Sequence, residues 1–422
     1  MKKIELLAPA GDLEKLKTAV DYGADAVYFG GEAFSLRAAA GNLTHEEMRE
    51  GIRYAHAKGV RCYLAINIFL HNEDILPLEQ YLLKVRNLGI DAFLVSDPGT
   101  VDILKEVMSD AEIHLSTQAN MTNYSAAKFW YRQGVKRIVL ARELSLQEIR
   151  EIRDNIPEDM ELEAFVHGAM CISYSGRCLL SNVMAARDAN RGGCAHPCRW
   201  KYHLYSDIGE GPQPQYYISE EQRPGEYYPI EEDDRGTYIM NSRDLCMIGH
   251  IADIAAAGIN SIKIEGRMKS VFYVATIVSA YRKALDACMQ GRPFDQKWAD
   301  EVAKVSNRGF ITGFFYGHPS ENDQNYETSD YNREYMFTGV VKSYDPDTAI
   351  AVVEQRNKME TGDEIEVFGP GKDFFTQTID EMTDADGNTI MSAPHAQQEI
   401  HIRMKEPAGE NYMIRKGRAQ HK

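Results

Sequence analysis

Four cysteines crowd into 28 residues of a 422-residue chain: Cys171, Cys178, Cys194 and Cys198, spaced C-x6-C-x15-C-x3-C. Thiolates bind soft metals, so four together read as the ligands of a zinc ion or of an iron–sulfur cluster. Structural zinc favours C-x2-4-C pairs, which this first pair is not, and that spacing disfavours a zinc knuckle while leaving zinc open. His167 and His196 flank the set as neighbours or as ligands. Arg187-Asp-Ala-Asn-Arg-Gly-Gly193 brings positive charge and backbone N–H groups beside the thiolates, and both stabilise them. The other cysteines, Cys62, Cys246 and Cys288, read as small buried apolar residues.

A second group of chemical residues follows apolar runs. Arg37, Asn67, Gln118, Arg142, Arg243 and Arg267 are candidate binders of an anionic small molecule, because guanidinium forks among neutral amides suit carboxylates and phosphates. His167, Asp244 and Glu265 are the candidate catalytic groups. H-E-x-x-H and G-x-S-x-G hydrolase signatures are absent.

The elements that must position these residues repeat as helix, glycine, apolar strand. The phrase occurs around Gly23, Gly59, Gly89, Gly134 and Gly258. A glycine there suits the position just past a helix, where φ is positive. The strands behind it look apolar on both faces, as buried parallel strands do. Strands are expected at 4–8, 25–29, 61–66, 90–95, 112–116, 136–140, 161–166 and 261–265, with an extra one at 237–241. Eight strands alternating with helices indicate an α/β fold of the (β/α)8, TIM-like type, with a doubly wound open sheet as the other arrangement. The barrel is expected over 1–330, interrupted by the cysteine segment (167–200) and an acidic loop (205–237). From 331 to 422 short alternating strands with Gly, Pro and Asp turns predict a small antiparallel β-barrel.

The net charge of −16 argues against a broad nucleic-acid-binding face, though not against a local one. Nine acids and two arginines lie in residues 207–236, while the last eleven residues hold Arg415, Lys416, Arg418 and Lys422 and no acid. The plain reading is a solvated loop and a frayed tail; the functional one is a tail that touches phosphates. No apolar run reaches the roughly 18 residues a membrane span needs. Glu5 and Pro9 interrupt any signal-like start, so a cytoplasmic protein without membrane partners is expected.

The run Glu163-Ala-Phe-Val-His167-Gly-Ala-Met-Cys171-Ile-Ser-Tyr-Ser-Gly-Arg-Cys178-Leu-Leu-Ser181 resembles the signature of the collagenase-like peptidase family U32, whose catalytic type was never assigned. Leu6-Leu-Ala-Pro-Ala-Gly11, Phe34-Ser-Leu-Arg37, Asn241-Ser-Arg-Asp244, Lys263-Ile-Glu-Gly-Arg-Met-Lys269 and Asn307-Arg-Gly-Phe-Ile-Thr-Gly313 extend the likeness along the chain. Within the family the chain is most similar to the branch that hydroxylates tRNA uridine. The resemblance implies a [4Fe–4S] cluster on Cys171, Cys178, Cys194 and Cys198, prephenate as the organic acid that supplies the hydroxyl group, and 5-hydroxyuridine at the wobble position as product. It implies tRNA as a partner, with a paralogous partner subunit besides, and a C-terminal domain like the small β-barrels of translation factors. The family's name keeps a peptidase as the second expectation, with the four cysteines then holding a structural metal such as zinc.

Overall fold

The computed structural model describes residues 3–36, 41–170, 243–317 and 334–418, and between these 180–185, 187, 193–206, 216–221, 224–225, 228–230, 232–233, 236–237 and 332. Eight parallel strands close on themselves. They are β1 (Glu5–Pro9), β2 (Ala26–Gly30), β3 (Arg61–Ile66), β4 (Ala92–Val95), β5 (Ile113–Leu115), β6 (Val135–Val139), β7 (Glu161–Ala169) and β8 (Ser261–Ile264). Neighbours pair in chain order and β8 lies between β7 and β1, parallel to both. The closed barrel, not the open sheet, is therefore the architecture.

Local chemistry accounts for the alternation. Thr44 and Ser145 start the helices His45–Ala57 and Leu146–Asp154 with capping boxes, each bonding reciprocally with Glu47 or Glu148. All five glycines of the repeated phrase have positive φ, from 73° at Gly59 to 103° at Gly23. The strands bury Leu, Ile, Val, Ala and Phe against the surrounding helices, among them Leu6, Phe29, Leu64, Ile138 and Ile262.

The inward faces differ from the apolar reading. Arg137, Glu163 and Lys263 are buried inside the barrel beside Tyr63 and His114. Arg137 reaches Glu5, Glu161 and Glu163, and Lys263 donates to Glu163 at 2.9 Å. Such groups tolerate burial because each charge has an opposite partner within hydrogen-bond reach.

Of the extra strand expected at 237–241, residues 238–241 lie outside the described residues. Gly236–Thr237 pairs with Glu232–Asp233, while Asp244–Cys246 runs antiparallel to the end of β7 and parallel to Phe310–Ile311. The acidic stretch read as a loop contains sheet. Tyr202–Ser206, Tyr216–Glu220 and Tyr228–Ile230 form a three-stranded antiparallel ladder. Cys62 is fully buried as expected, but Cys246 and Cys288 are only partly so. No helix among the described residues is long and apolar enough to cross a membrane.

The C-terminal unit is an eight-stranded antiparallel sheet around Val341, Val353, Ile365, Met382, Ile400 and Ile414. It curls as a half-barrel, in line with the small antiparallel β-barrel expected. Its end strands, Phe375–Thr378 and Thr389–Ile390, share no ladder; the Gln377 amide instead bonds the Arg403 carbonyl and the Lys405 N–H. The sheet docks on the barrel through stacked Phe272 and Phe337 and through Arg415, which is fully buried between Glu301 and Glu366. Replacing Arg415 by Met strands two carboxylates that keep Lys304 and some water. The expected cost is about 2 kcal/mol, read as a lower urea midpoint and faster proteolysis within 334–418.

Candidate active site at the barrel mouth

The polar side chains collect where the strands end. Asn67, just past β3, accepts from the Leu36 N–H at 3.1 Å and directs its Nδ2 toward Ser116 Oγ and Gln118 Oε1 at 3.4 Å. Ser96 and Ser116 also donate to Gln118 Oε1. With its oxygen engaged by the wall, Gln118 keeps its amide nitrogen as a donor. On the other side of Leu36, Ser35 accepts from Arg267 Nη1 at 2.8 Å. A polar chain thus runs from Arg267 through the 35–36 loop to Asn67 and Gln118.

Gly30 makes this cradle possible. A Cβ there would stand 2.5 Å from Ser35 Oγ, 2.6 Å from Arg267 Nη1 and 2.7 Å from Asn42 Oδ1. The missing side chain is the space the guanidinium uses. Three non-glycine residues with positive φ, Phe34, Asn42 and Asn120, sit on these same loops. Backbone strain of that kind gathers at functional sites.

Across the mouth Arg142 lies 4.1 Å from the Phe165 ring centre and donates to the Ala169 carbonyl at 3.1 Å. It has no ion pair among the described residues. Lys263 Nζ lies 4.3 Å from the Tyr28 ring centre and 5.4 Å from that of Phe165. Burial pushes the Lys263 pKa down, against the pull of Glu163; burial likewise raises Glu163, but Lys263 and Arg137 hold it below the usual carboxylate range. Tyr28 Oη donates to the Ile264 carbonyl at 3.0 Å and meets Glu265 at 3.4 Å. Glu143, next to Arg142, has its pKa raised by burial, and its Oε2 has no partner among the described residues. The arrangement suits a small organic anion held by guanidinium groups over an aromatic floor.

The structure therefore brings Asn67, Gln118, Arg142, Glu265 and Arg267 to one mouth. His167 sits apart from them. The β7–β8 register shifts after Lys263, so His167 pairs with Ile264. Its ring faces outward into Tyr273, Tyr281 and Phe310, with Nδ1 3.3 Å from Tyr281 Oη. Burial drives its pKa down to about 3. Gly168 follows with φ 107°, and a Cβ there would strike the Glu265 backbone carbonyl at 2.7 Å. Asp244 is buried and accepts from the Arg308 N–H, while Arg243 packs over Gly309. Asp244 begins the small ladder beside β7 and Arg243 immediately precedes it. Arg37, Cys171 and Cys178 lie outside the described residues. Tyr28, Phe165 and Ser96 were missed as site residues. Each lies in or just past an apolar run, and only the alternation of inward and outward positions could have marked them.

Residues 11–325 match the peptidase family U32 and residues 333–415 its C-terminal domain. This chain belongs to peptidase family U32. Among its U32 relatives is "tRNA hydroxylation protein P1" of Bacillus subtilis, 44% identical over 99% of this chain and 96% of that one. "tRNA hydroxylation protein P" of Escherichia coli is 40% identical over 93% of this chain and 92% of that one. A protein named "Collagenase" from Porphyromonas gingivalis is 32% identical over 90% of this chain and 89% of that one.

Of the U32 cysteine signature, Cys194 and Cys198 are described, both half-buried. His196 takes a left-handed φ of 56°, which turns its N–H back onto Cys194 Sγ at 3.4 Å. Ser181 accepts from the Ala195 N–H, and the Trp200 indole donates to the Ala195 carbonyl. An N–H aimed at sulfur stabilises a thiolate, so this half of the donor set fits a metal group. Four thiolates suit iron–sulfur or zinc alike.

Proposed function

We propose that this chain hydroxylates uridine in tRNA, converting C5–H to C5–OH at the wobble position. The observation that carries the reading is the 44% identity, over nearly the whole chain, to a protein named for tRNA hydroxylation. In this reading the mouth holds the organic acid that supplies the hydroxyl group, prephenate. Arg142 and Arg267 bind its carboxylates, and the wall of Asn67, Ser96, Ser116 and Gln118 orients its polar groups. Cys171, Cys178, Cys194 and Cys198 hold a [4Fe–4S] cluster, which supplies electron-transfer chemistry when bound. Of the three candidate catalytic groups, Glu265 is the one that lies at the mouth beside Tyr28, whereas His167 faces Tyr273, Tyr281 and Phe310 behind the strand and Asp244 is buried against the Arg308 N–H, so the proposal keeps Glu265. The enzyme works in the cytoplasm, with a paralogous subunit as partner. Of the basic C-terminal residues, Arg415 is buried between Glu301 and Glu366 and Lys416 pairs with Asp363, so among the described residues the exposed Arg418 gives tRNA phosphates a local contact despite the acidic whole.

Nucleoside analysis of tRNA tests this. A strain lacking the gene and all paralogues loses 5-hydroxyuridine, and the wild-type gene restores it whereas Cys171→Ala does not. Unchanged 5-hydroxyuridine in that strain overturns the reading. Anaerobically purified protein carries about four irons with matching sulfide; one zinc and no sulfide overturns the cluster.

The similarity to a protein named "Collagenase" favours a peptidase as the second reading. Its chemistry is poorly supplied. Cys246 Sγ stands 3.9 Å from Tyr281 Oη, which also meets His167. Burial pushes that thiol pKa up and the imidazole pKa down, the reverse of an activated cysteine. Gelatin cleavage that survives chelation and is lost in Cys171→Ala supports the peptidase instead.

A further inference from the structure

We infer a second metal site on the face of the barrel opposite the mouth, formed by His56, Cys62 and Asp91, which takes a zinc-like divalent cation. The three come from separate elements. His56 lies in the last turn of the helix His45–Ala57, Cys62 is the second residue of β3, and Asp91 immediately precedes β4. The His56 ring nitrogen, the Cys62 sulfur and an Asp91 oxygen all lie within 4.8 Å of one another.

Their chemistry matches the cation. Imidazole, thiolate and carboxylate are the ligand types zinc accepts, with bonds of about 2.0–2.3 Å. His56 Nε2 is now 2.8 Å from Asp91 Oδ2, and a tetrahedral ion in place of the bridging proton parts them by only about half an ångström. The carboxylate is already oriented, because the Cys62 N–H donates to Asp91 Oδ2 at 2.7 Å. The imidazole is oriented by the same carboxylate, through Nε2 at 2.8 Å. Such hydrogen bonds to the ligands fix a metal site.

The site has one closed and one open side. Cys62 is wholly buried, whereas the Asp91 and His56 side chains are 27% and 41% exposed. Three protein ligands and a solvent-facing fourth position leave room for a water or an external ligand. The site lies at strand beginnings, where a TIM-like barrel is built for stability rather than catalysis. A cation there pins the end of the helix to two strands, and it is independent of the RNA reading and of the four-cysteine group.

Cobalt tests the site on the full chain carrying its native four-cysteine complement. A small molar excess of Co2+ gives the visible bands of tetrahedral cobalt and a cobalt–thiolate charge-transfer band in the wild type. His56→Ala and Cys62→Ser lose both, with the content of the four-cysteine group unchanged. Zinc raises the thermal midpoint of the wild type by a few degrees and leaves that of His56→Ala where it was. Equal cobalt uptake by the wild type and His56→Ala overturns the site, as does a wild type that binds no added cobalt. His56 is at an exposed helix end, so its replacement keeps the test decisive even where Cys62→Ser folds poorly.

Discussion

Arg137→Met is expected to cost the folded chain about 3–5 kcal/mol, seen as a lower urea midpoint with an unchanged slope. Arg137 is buried on β6 at the centre of the charge layer inside the barrel. Its Nε bonds Glu161 at 2.7 Å, its Nη1 lies 3.2 Å from Glu163, and Glu5 takes both terminal nitrogens. Glu163 has no exposed surface and keeps only Lys263 when the guanidinium goes. Glu5 keeps the Tyr63 and Ser261 hydroxyls and the more distant charge of Arg61, but no bonded cation. The cost is that of leaving negative charge uncompensated in a medium that solvates it poorly, since a paired buried ion offers little net gain but a broken pair is expensive.

Arg137→Lys separates charge from geometry. One ammonium restores the sign of the charge but cannot bond three carboxylates from a rigid fork, so recovery is partial. A loss under about 1 kcal/mol for Arg137→Met would mean that the layer is solvated like a surface network. The layer also matters to the mouth. Glu163 is held by Arg137 from below and holds Lys263 above, so loss of Arg137 loosens the ammonium beside Tyr28 and Phe165.

This layer shows where the sequence stops being legible. The barrel was readable because its signal is repeated and local: a helix, a positive-φ glycine and an apolar strand, five times over, with Arg61–Ile66 placed to the residue. The charges inside were not. Glu5, Arg137, Glu163 and Lys263 each stand in or beside an apolar run, and the ion pairs among these four join residues 26 to 132 positions apart. Pairing across a closed barrel depends on register and strand tilt, which no single strand encodes. At the mouth, Asn67, Gln118, Arg142 and Arg267 were legible because polar residues just past parallel strands have one place to go. His167 followed the same rule on paper. The register shift opposite Lys263–Ile264 turns it outward, and a bulge of that kind re-aims one side chain without any mark in composition. Asp244–Cys246 was missed as a strand because three residues are too short for a periodic signal.

His167 carries the other large expectation. Stability is expected to fall as the pH drops below about 6.5, the ordinary histidine value, and the fall attributable to this residue continues until its folded pKa of about 3. Burial, aided by the charge of Lys269, keeps the folded imidazole neutral across this window. The unfolded chain binds a proton there that the folded chain does not, so each pH unit of acidification favours unfolding by about 1.4 kcal/mol. At pH 4 the loss from His167 amounts to about 3 kcal/mol. His114, buried against Tyr63, has its pKa lowered by burial too and adds to the fall. The depressed carboxylates Glu163 and Glu112 act in the same direction, but only once the pH approaches the unfolded carboxylate range near 4.3. Between pH 6.5 and 5 these depressed carboxylates are silent, while Glu143, whose pKa burial raises, acts in the opposite sense, so the histidine slope is isolated by comparing His167→Phe with the wild type. His167→Phe should remove about one proton's worth of slope there, measured as urea-unfolding free energy against pH. Phenylalanine suits the pocket, since Tyr281 Oη still donates to the Val166 carbonyl and accepts from the Met247 N–H. An unchanged slope in His167→Phe would mean that the imidazole is protonated without unfolding, and that the space between β7 and the Val271–Met289 helix opens to water below pH 6.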